Sequence, residues 1–205
     1  MAESHLREKQ ILIRRRAGRN RPGQLLRAMD NRYASIRRFR EADLSPLRDF
    51  IAAVVDASYS GVYPPRAVDF FKDWHSDKRI LERNAQGVIL IVEDNRNGSI
   101  LATGSLIGSE ISGVFVRSDI QRNGIGAEIM RTLEEIAFEK GLSEIKLSVS
   151  LPSGGFYERL GYEISGELST DVGEGQSLIY REGIKSLRKQ AKRPPFCLRR
   201  PKRNF

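Results

Sequence analysis

Cysteine occurs once in the 205 residues, at Cys197, so no disulfide can form within the chain. A lone cysteine points to a reducing compartment, and the cytoplasm is the expected location. Histidine occurs twice, at His5 and His75, with no ligand-like spacing, so no metal is expected. His75 is expected at the surface of a helix. No run of about 18 apolar residues occurs, which leaves no candidate membrane span. The N-terminus lacks an apolar segment with a small-residue cleavage site, which argues against a secretory signal. Its Arg-rich, acid-poor bias keeps an organelle transit peptide open, and Met29 is a conceivable alternative start. No internal repeat is visible.

What is present suits one sizeable domain with extensions. Hydrophobic residues make up 40% and charged residues 30%, a balance of a globular protein with some polar excess. The net charge of +9 is uneven. Residues 1–32 carry +6 and residues 184–205 carry +9, which leaves −6 for 33–183. Body and tails therefore meet different partners. Three segments follow: a basic extension at 1–33, a folded domain at 34–183 and a basic tail at 184–205. Solvated extensions are the plain reading of both tails. Nucleic acid or ribosome contact is the sharper one. No RNA- or DNA-binding motif supports it, and Phe196 and Phe205 are too few for a stacking platform.

Periodicity gives the element order. Strand-like alternation occupies 35–40, and helical spacing occupies 42–60 and 67–84 around the proline loop 61–66. The apolar run GVILIVED (87–94) is a strand, and the Asn-Gly turn in 94–99 makes a hairpin with 100–108. A further strand lies at 111–118, a helix at 127–142 and a strand at 144–150. A short helix at 152–163 precedes strands at 162–168 and 176–183. This order implies an α+β domain around a sheet of mixed strand direction.

One stretch raises a question of its own. DIQRNGIGAEIM (119–130) puts Gly124 and Gly126 at a helix start, although each glycine costs about 1 kcal/mol relative to alanine inside a helix. Backbone N–H groups at that end have no intrahelical partner and face the positive end of the dipole. A phosphate could approach them where side chains are missing. A dinucleotide fingerprint would need a third glycine where Ile129 stands, and a Walker loop would need Gly-Lys-Ser/Thr, which is absent. A tight strand-to-helix turn is the plain alternative.

Gln121-Arg122-Asn123-Gly124-Ile125-Gly126 resembles the Q/R-x-x-G-x-G/A motif of the GNAT superfamily of acyl-CoA-dependent N-acyltransferases. FYERLGY (156–162) resembles that family's later motif, in the correct order after one helix and one strand. The resemblance covers roughly 34–183. It implies a mixed, mostly antiparallel central sheet of about six to seven strands with helices on both faces. It implies acetyl-CoA as co-substrate in a cleft where the fourth and fifth strands splay. The pyrophosphate would lie on Gln121, Arg122, Asn123, Gly124, Ile125, Gly126 and Ala127, and the pantetheine along Val114, Phe115 and Val116. Tyr157 matches the general acid for the leaving thiolate. Glu110 matches a glutamate that acts as base through water. A solvated turn residue is the plain alternative for Glu110, and a packing tyrosine the plain one for Tyr157.

The expected acceptor is a primary amine of a small molecule or a protein, attacked directly in a ternary complex. The family's first two helices wall the acceptor site. That region here holds Tyr59, Tyr63 and Trp74 with Asp56 and Asp69, a set that could hold a cation or simply be aromatic core with exposed acids. Pro152 departs from the family's usual S-L-N-A stretch, here Ser150-Leu151-Pro152-Ser153. A CoA-binding module without chemistry is therefore the alternative function. The oligomeric state is left open, with a dimer among the options.

Overall fold

The computed structural model describes residues 34–187. Residues 1–33 and 188–205, with Cys197 and nearly all of the expected basic tail, lie outside the described residues. Seven strands form one sheet: β1 (Ala34–Arg38), β2 (Gly87–Asp94), β3 (Ile100–Ile107), β4 (Glu110–Val116), β5 (Glu144–Ser150), β6 (Glu163–Gly173) and β7 (Gln176–Ser186). Their order is β1-β2-β3-β4-β5-β7-β6. Only β4 and β5 run parallel; the other neighbours are antiparallel. The expected mixed, mostly antiparallel sheet with helices on both faces is what forms.

Five helices cover it: α1 (Leu44–Tyr59), α2 (Pro65–Trp74), α3 (Asp77–Gln86), α4 (Ile125–Glu139) and α5 (Gly154–Arg159). Strand alternation sends side chains to two separate cores. Val88, Leu90 and Val92 of β2 join the core under α4 and α5, while Ile89 and Ile91 join the core under α1, α2 and α3. Burial on both faces explains why β2 reads as a continuous apolar run. On α4, Ile129, Met130, Leu133 and Ala137 recur at helical spacing and are wholly buried.

Helix α4 sits close to the sheet because β3 has Gly104 beneath it. A Cβ there would lie 2.8 Å from Ile129 Cγ2 and 3.0 Å from Leu133 Cδ1. Gly104→Ala should therefore lower stability by about 1–2 kcal/mol through overpacking. Urea unfolding checks this; an unchanged midpoint would mean that α4 gives way freely.

Several boundaries differ from the sequence reading, among them β6, which runs to Gly173 and not to 168; two others bear on packing. The single helix expected over 67–84 is broken into α2 and α3. His75 leaves helical geometry (φ −114°, ψ 24°) and Ser76 is extended (φ −62°, ψ 161°). The break turns the His75 ring inward, edge-on to Phe115 with centroids 4.9 Å apart. His75 is thus 5% exposed, not the surface residue expected of one continuous helix. The last strand also runs to Ser186, past the expected end of the sheet at 183. Ile184, Lys185 and Ser186 pair with Lys146, Ile145 and Glu144 of β5.

Candidate active site

The site begins where the sheet opens. β4 and β5 pair only at Glu110↔Lys146 and Ile111↔Leu147. Beyond Ile111 the strands part, because β4 bulges while β5 stays straight against β7. Between Ser105↔Ser112 and Thr103↔Phe115, three steps on β4 face two on β3. Gly113, at φ +61°, takes the left-handed turn inside that bulge. The β5-facing edge of Val114, Phe115 and Val116 therefore has no strand partner and is open to an extended amide-bearing ligand, except at one carbonyl. The Val116 carbonyl accepts from Gln121 Nε2 at 3.1 Å.

Past β4 the chain makes a single 3-10 turn (Ser118–Ile120) and enters the glycine loop. Arg122 (φ 64°) and Gly124 (φ 86°) are both left-handed. Asn123 Nδ2 donates to the Ile120 carbonyl at 3.2 Å and closes the loop. Helix α4 starts at Ile125, and the first N–H to find an intrahelical acceptor is that of Glu128, bonded to the Gly124 carbonyl at 3.0 Å. The N–H groups of Ile125, Gly126 and Ala127 thus remain available at the positive end of a helix of 15 residues. The two glycines have different reasons. A Cβ at Gly124 would meet nothing within 4 Å, so its space faces outward; a Cβ at Gly126 would lie 3.2 Å from Phe156 Cζ. Gly126 lets the Phe156 ring of α5 pack closely on α4, whatever binds the loop.

Tyr157 lies on α5 and is 7% exposed. Its ring meets Phe156 and Tyr162 edge-on, at centroid distances of 4.9 and 5.8 Å. Its hydroxyl has no hydrogen-bond partner among the described residues. Burial raises its pKa above the usual tyrosine value, and the neighbouring Tyr59 phenol adds to the rise. Tyr59 comes from α1 on the other face of the sheet, so the two phenols approach each other at the end of β5. Tyr59 donates to Ser150 Oγ at 3.1 Å, and Ser150 and Ser153 share a bond of 2.6 Å. The Leu151 N–H donates to the Tyr63 hydroxyl at 2.7 Å. Pro152 falls inside the single 3-10 turn Leu151–Ser153, where its missing N–H leaves no bond unmade. Ser150 and Ser153 were not singled out from the sequence, where they stood only as the end of a strand and the start of a short helix beside Pro152.

Glu110 is exposed at the start of β4, in the segment still paired with β5. Alternation puts it on the face opposite the buried Ile111, the face of Ser112 and of α1 and α3. The candidate cation group does not come together. Trp74 is 48% exposed, stacked on Phe70, with the Arg79 guanidinium 5.1 Å from its ring centroid. Asp56 pairs with Lys72 and Asp69 with Arg66. Tyr59 and Tyr63 instead form an aromatic cluster with Phe71.

The family model for the acetyltransferase (GNAT) family matches residues 48–162, from α1 through Tyr162. The chain belongs to the GNAT acetyltransferase family. YyaT of Bacillus subtilis (strain 168), itself uncharacterized, is 29% identical over 104 residues, covering 50% of this chain and 69% of YyaT. A GCN5-related N-acetyltransferase from Rhodopseudomonas palustris aligns with a TM-score of 0.68 at 18% identity, covering 76% of this chain and 96% of that one. PaiA N-acetyltransferase from Thermoplasma acidophilum, in complex with coenzyme A, aligns with a TM-score of 0.57 at 18% identity, covering 72% and 97%. At such identities these two structures report the shared GNAT fold. The matched stretch holds every residue described above at the strand divergence, the glycine loop and α5. Among the described residues no helix is long and apolar enough to cross a membrane, and no three His, Cys, Asp or Glu side chains cluster in a way that could hold a metal ion.

Proposed function

We propose that the protein transfers an acetyl group from acetyl-CoA to a primary amine, by direct attack within a ternary complex. The observation that carries this reading is the unpaired edge of β4, which leads straight into a helix N-terminus with free N–H groups. An extended amide chain ending in a pyrophosphate has the shape and charge that this edge and helix start accept. The residues for the pyrophosphate are Gln121 to Ala127, and those for the pantetheine are Val114, Phe115 and Val116. PaiA binding coenzyme A on the same fold agrees with the assignment.

The amine nitrogen attacks the thioester carbonyl carbon, and a C–N bond forms as the C–S bond breaks. The sulfur leaves as a thiolate. Tyr157 donates its hydroxyl proton toward that sulfur, and the attacking nitrogen loses one proton. Glu110 takes that proton through water. Its exposed place on the α1–α3 face puts it on the side opposite Tyr157, so donor and acceptor of protons do not compete.

Titration with acetyl-CoA tests the loop. Gly124→Asn and Gly124→Asp carry the same left-handed strain and differ by one negative charge. The Asp variant should bind about tenfold more weakly than the Asn variant, by repulsion of the pyrophosphate. Equal affinities would remove the phosphate from this loop. CoA release with a panel of amines, compared with hydrolysis alone, tests the transfer itself.

A further inference from the structure

Two polar side chains under the α1–α3 face take no part in the chemistry above. His75 is 5% exposed, and its Nδ1 has no hydrogen-bond partner among the described residues. Arg83, on α3, buries its Nη2, and that atom has none either. Arg83 Nε donates to the Arg79 carbonyl at 3.2 Å, while the nearby Glu82 carboxylate is held by Arg79. The two groups are neighbours at the β4 bulge. A Cβ on Gly113 would lie 3.0 Å from Arg83 Nη1 and 3.6 Å from His75 Nδ1.

Arg83 and Gly113 line a cavity about the size of one water molecule, with Thr103, Ser105 and four aliphatic side chains of α1, α3 and β2 completing its wall; His75 adjoins it across Gly113 without lining it. The wall hydroxyls are already spent. Thr103 Oγ1 donates to the Leu90 carbonyl at 2.9 Å, and Ser105 Oγ donates to the Ser112 carbonyl at 2.8 Å. What remains unspent is guanidinium N–H and, in the Nδ1–H tautomer, one imidazole N–H. Burial and Arg79 hold Arg83 at about 10, and burial and Arg83 hold His75 at about 3. At neutral pH the pair therefore carries one buried positive charge without a carboxylate. Such a charge is costly until an anion meets it.

Its position says which anion. Gly113 lies two residues past Ile111, the last residue of β4 paired with β5. A pantetheine arm on Val116, Phe115 and Val114, with its pyrophosphate at the loop, brings its thioester end to Gly113. An acceptor approaching that end from the α1–α3 face passes Arg83 and His75. The acids that might have drawn a cation, Asp56 and Asp69, are paired elsewhere.

We propose that Arg83 and His75 receive a carboxylate of the acceptor, one oxygen filling the cavity, so that the acceptor is an amine bearing a carboxylate, as an amino acid does. The proposal rests on the acetyltransferase reading.

The test compares the common amino acids with their carboxamides as acceptors, with acetyl-CoA affinity measured alongside. The best acid should exceed its amide by about tenfold or more in kcat/KM. Arg83→Gln should abolish that preference with acetyl-CoA affinity unchanged, and Arg83→Lys should restore part of it. An amide used as well as its acid, or a preference that survives Arg83→Gln, overturns the proposal. A second readout needs no turnover. Acetate, at constant ionic strength, should raise the Tm of the wild type and not of Arg83→Gln; no difference between them overturns the anion pocket. If acetate stabilises while amides serve as well as acids, the cavity holds a free anion and the acceptor assignment falls. Arg83→Gln removes an unpaired buried charge, so without acetate its Tm should equal or exceed that of the wild type. A Tm well below it would mean that the charge is already satisfied, and the proposal fails.

Discussion

Tyr157→Phe should lower kcat by about 10²-fold and leave acetyl-CoA affinity within roughly twofold. The substitution removes one oxygen and keeps the ring that packs against Phe156 and Tyr162. The oxygen itself has no partner to strand, so the fold should not register its loss. The effect on rate follows from the leaving group. A thiolate conjugate to a thiol of pKa about 8.5 is a poor proton acceptor from a phenol whose pKa burial has raised. On the proposed mechanism Tyr157 acts first as a hydrogen-bond donor to developing charge on sulfur, and the proton follows. That mismatch sets the expectation at the lower end of general-acid effects, about 10² and not 10⁴. The same raised pKa has a sign for the pH profile. Tyr157 keeps its proton well above the usual tyrosine range, so kcat should not fall below about pH 10. Steady-state kinetics with a calorimetric titration decide it. An unchanged kcat would reduce Tyr157 to a packing residue, and joint loss of kcat and acetyl-CoA binding would place it in the cofactor pocket.

Much of this was written in the sequence because the elements are locally consistent. GVILIVED reads as a strand, and it is one; its burial on both faces accounts for the unbroken apolar run. The glycine loop and FYERLGY declare their family by spacing alone, and the matched region ends at Tyr162. What was not legible depends on contacts far apart in the chain. The break at His75 follows from Phe115 and Gly113, about forty positions later, offering a place for its ring. Continuous helical spacing over 67–84 read as one helix, and nothing local to His75 and Ser76 marked the break. Arg83 looks like any solvated helix cation; only the arrangement of β4 beneath it shows that part of it is buried. Gly126 was read as a ligand-admitting position, yet the Phe156 ring is reason enough for it. Trp74, Asp56 and Asp69 gather in sequence and separate in space, because helices α1 and α2 turn them toward different partners.

Lys185 is the clearest case of a residue whose meaning changes on folding, and it carries the second large prediction. Its composition neighbours are a basic run, yet its Nζ lies 2.9 and 2.8 Å from the two Glu134 oxygens. Glu134, on α4, has a side chain only 6% exposed and also accepts from the Tyr162 hydroxyl at 3.0 Å. Lys185 lies 5.2 Å from the Tyr162 ring centroid. One carboxylate thus ties α4, β7 and the end of the α5 motif. Tyr162 keeps its proton because burial, and then the Glu134 charge, raise its pKa. Glu134→Leu leaves the ammonium and the phenol hydroxyl without their acceptor, and Lys185→Met leaves the carboxylate without its cation. Each single change should cost about 3 kcal/mol, because each strands a charge or donor out of water. The double change strands no charge, and Tyr162→Phe added to it removes the last orphaned donor. The double variant should therefore lose less than the sum of the singles, by about 1–3 kcal/mol. Urea midpoints at constant m-value measure this, and simple additivity would mean that the three groups do not act as one. A chain ended at Gly183 should fare worse than one ended at Leu187. It forfeits Lys185 together with the pairs that Ile184, Lys185 and Ser186 make with β5.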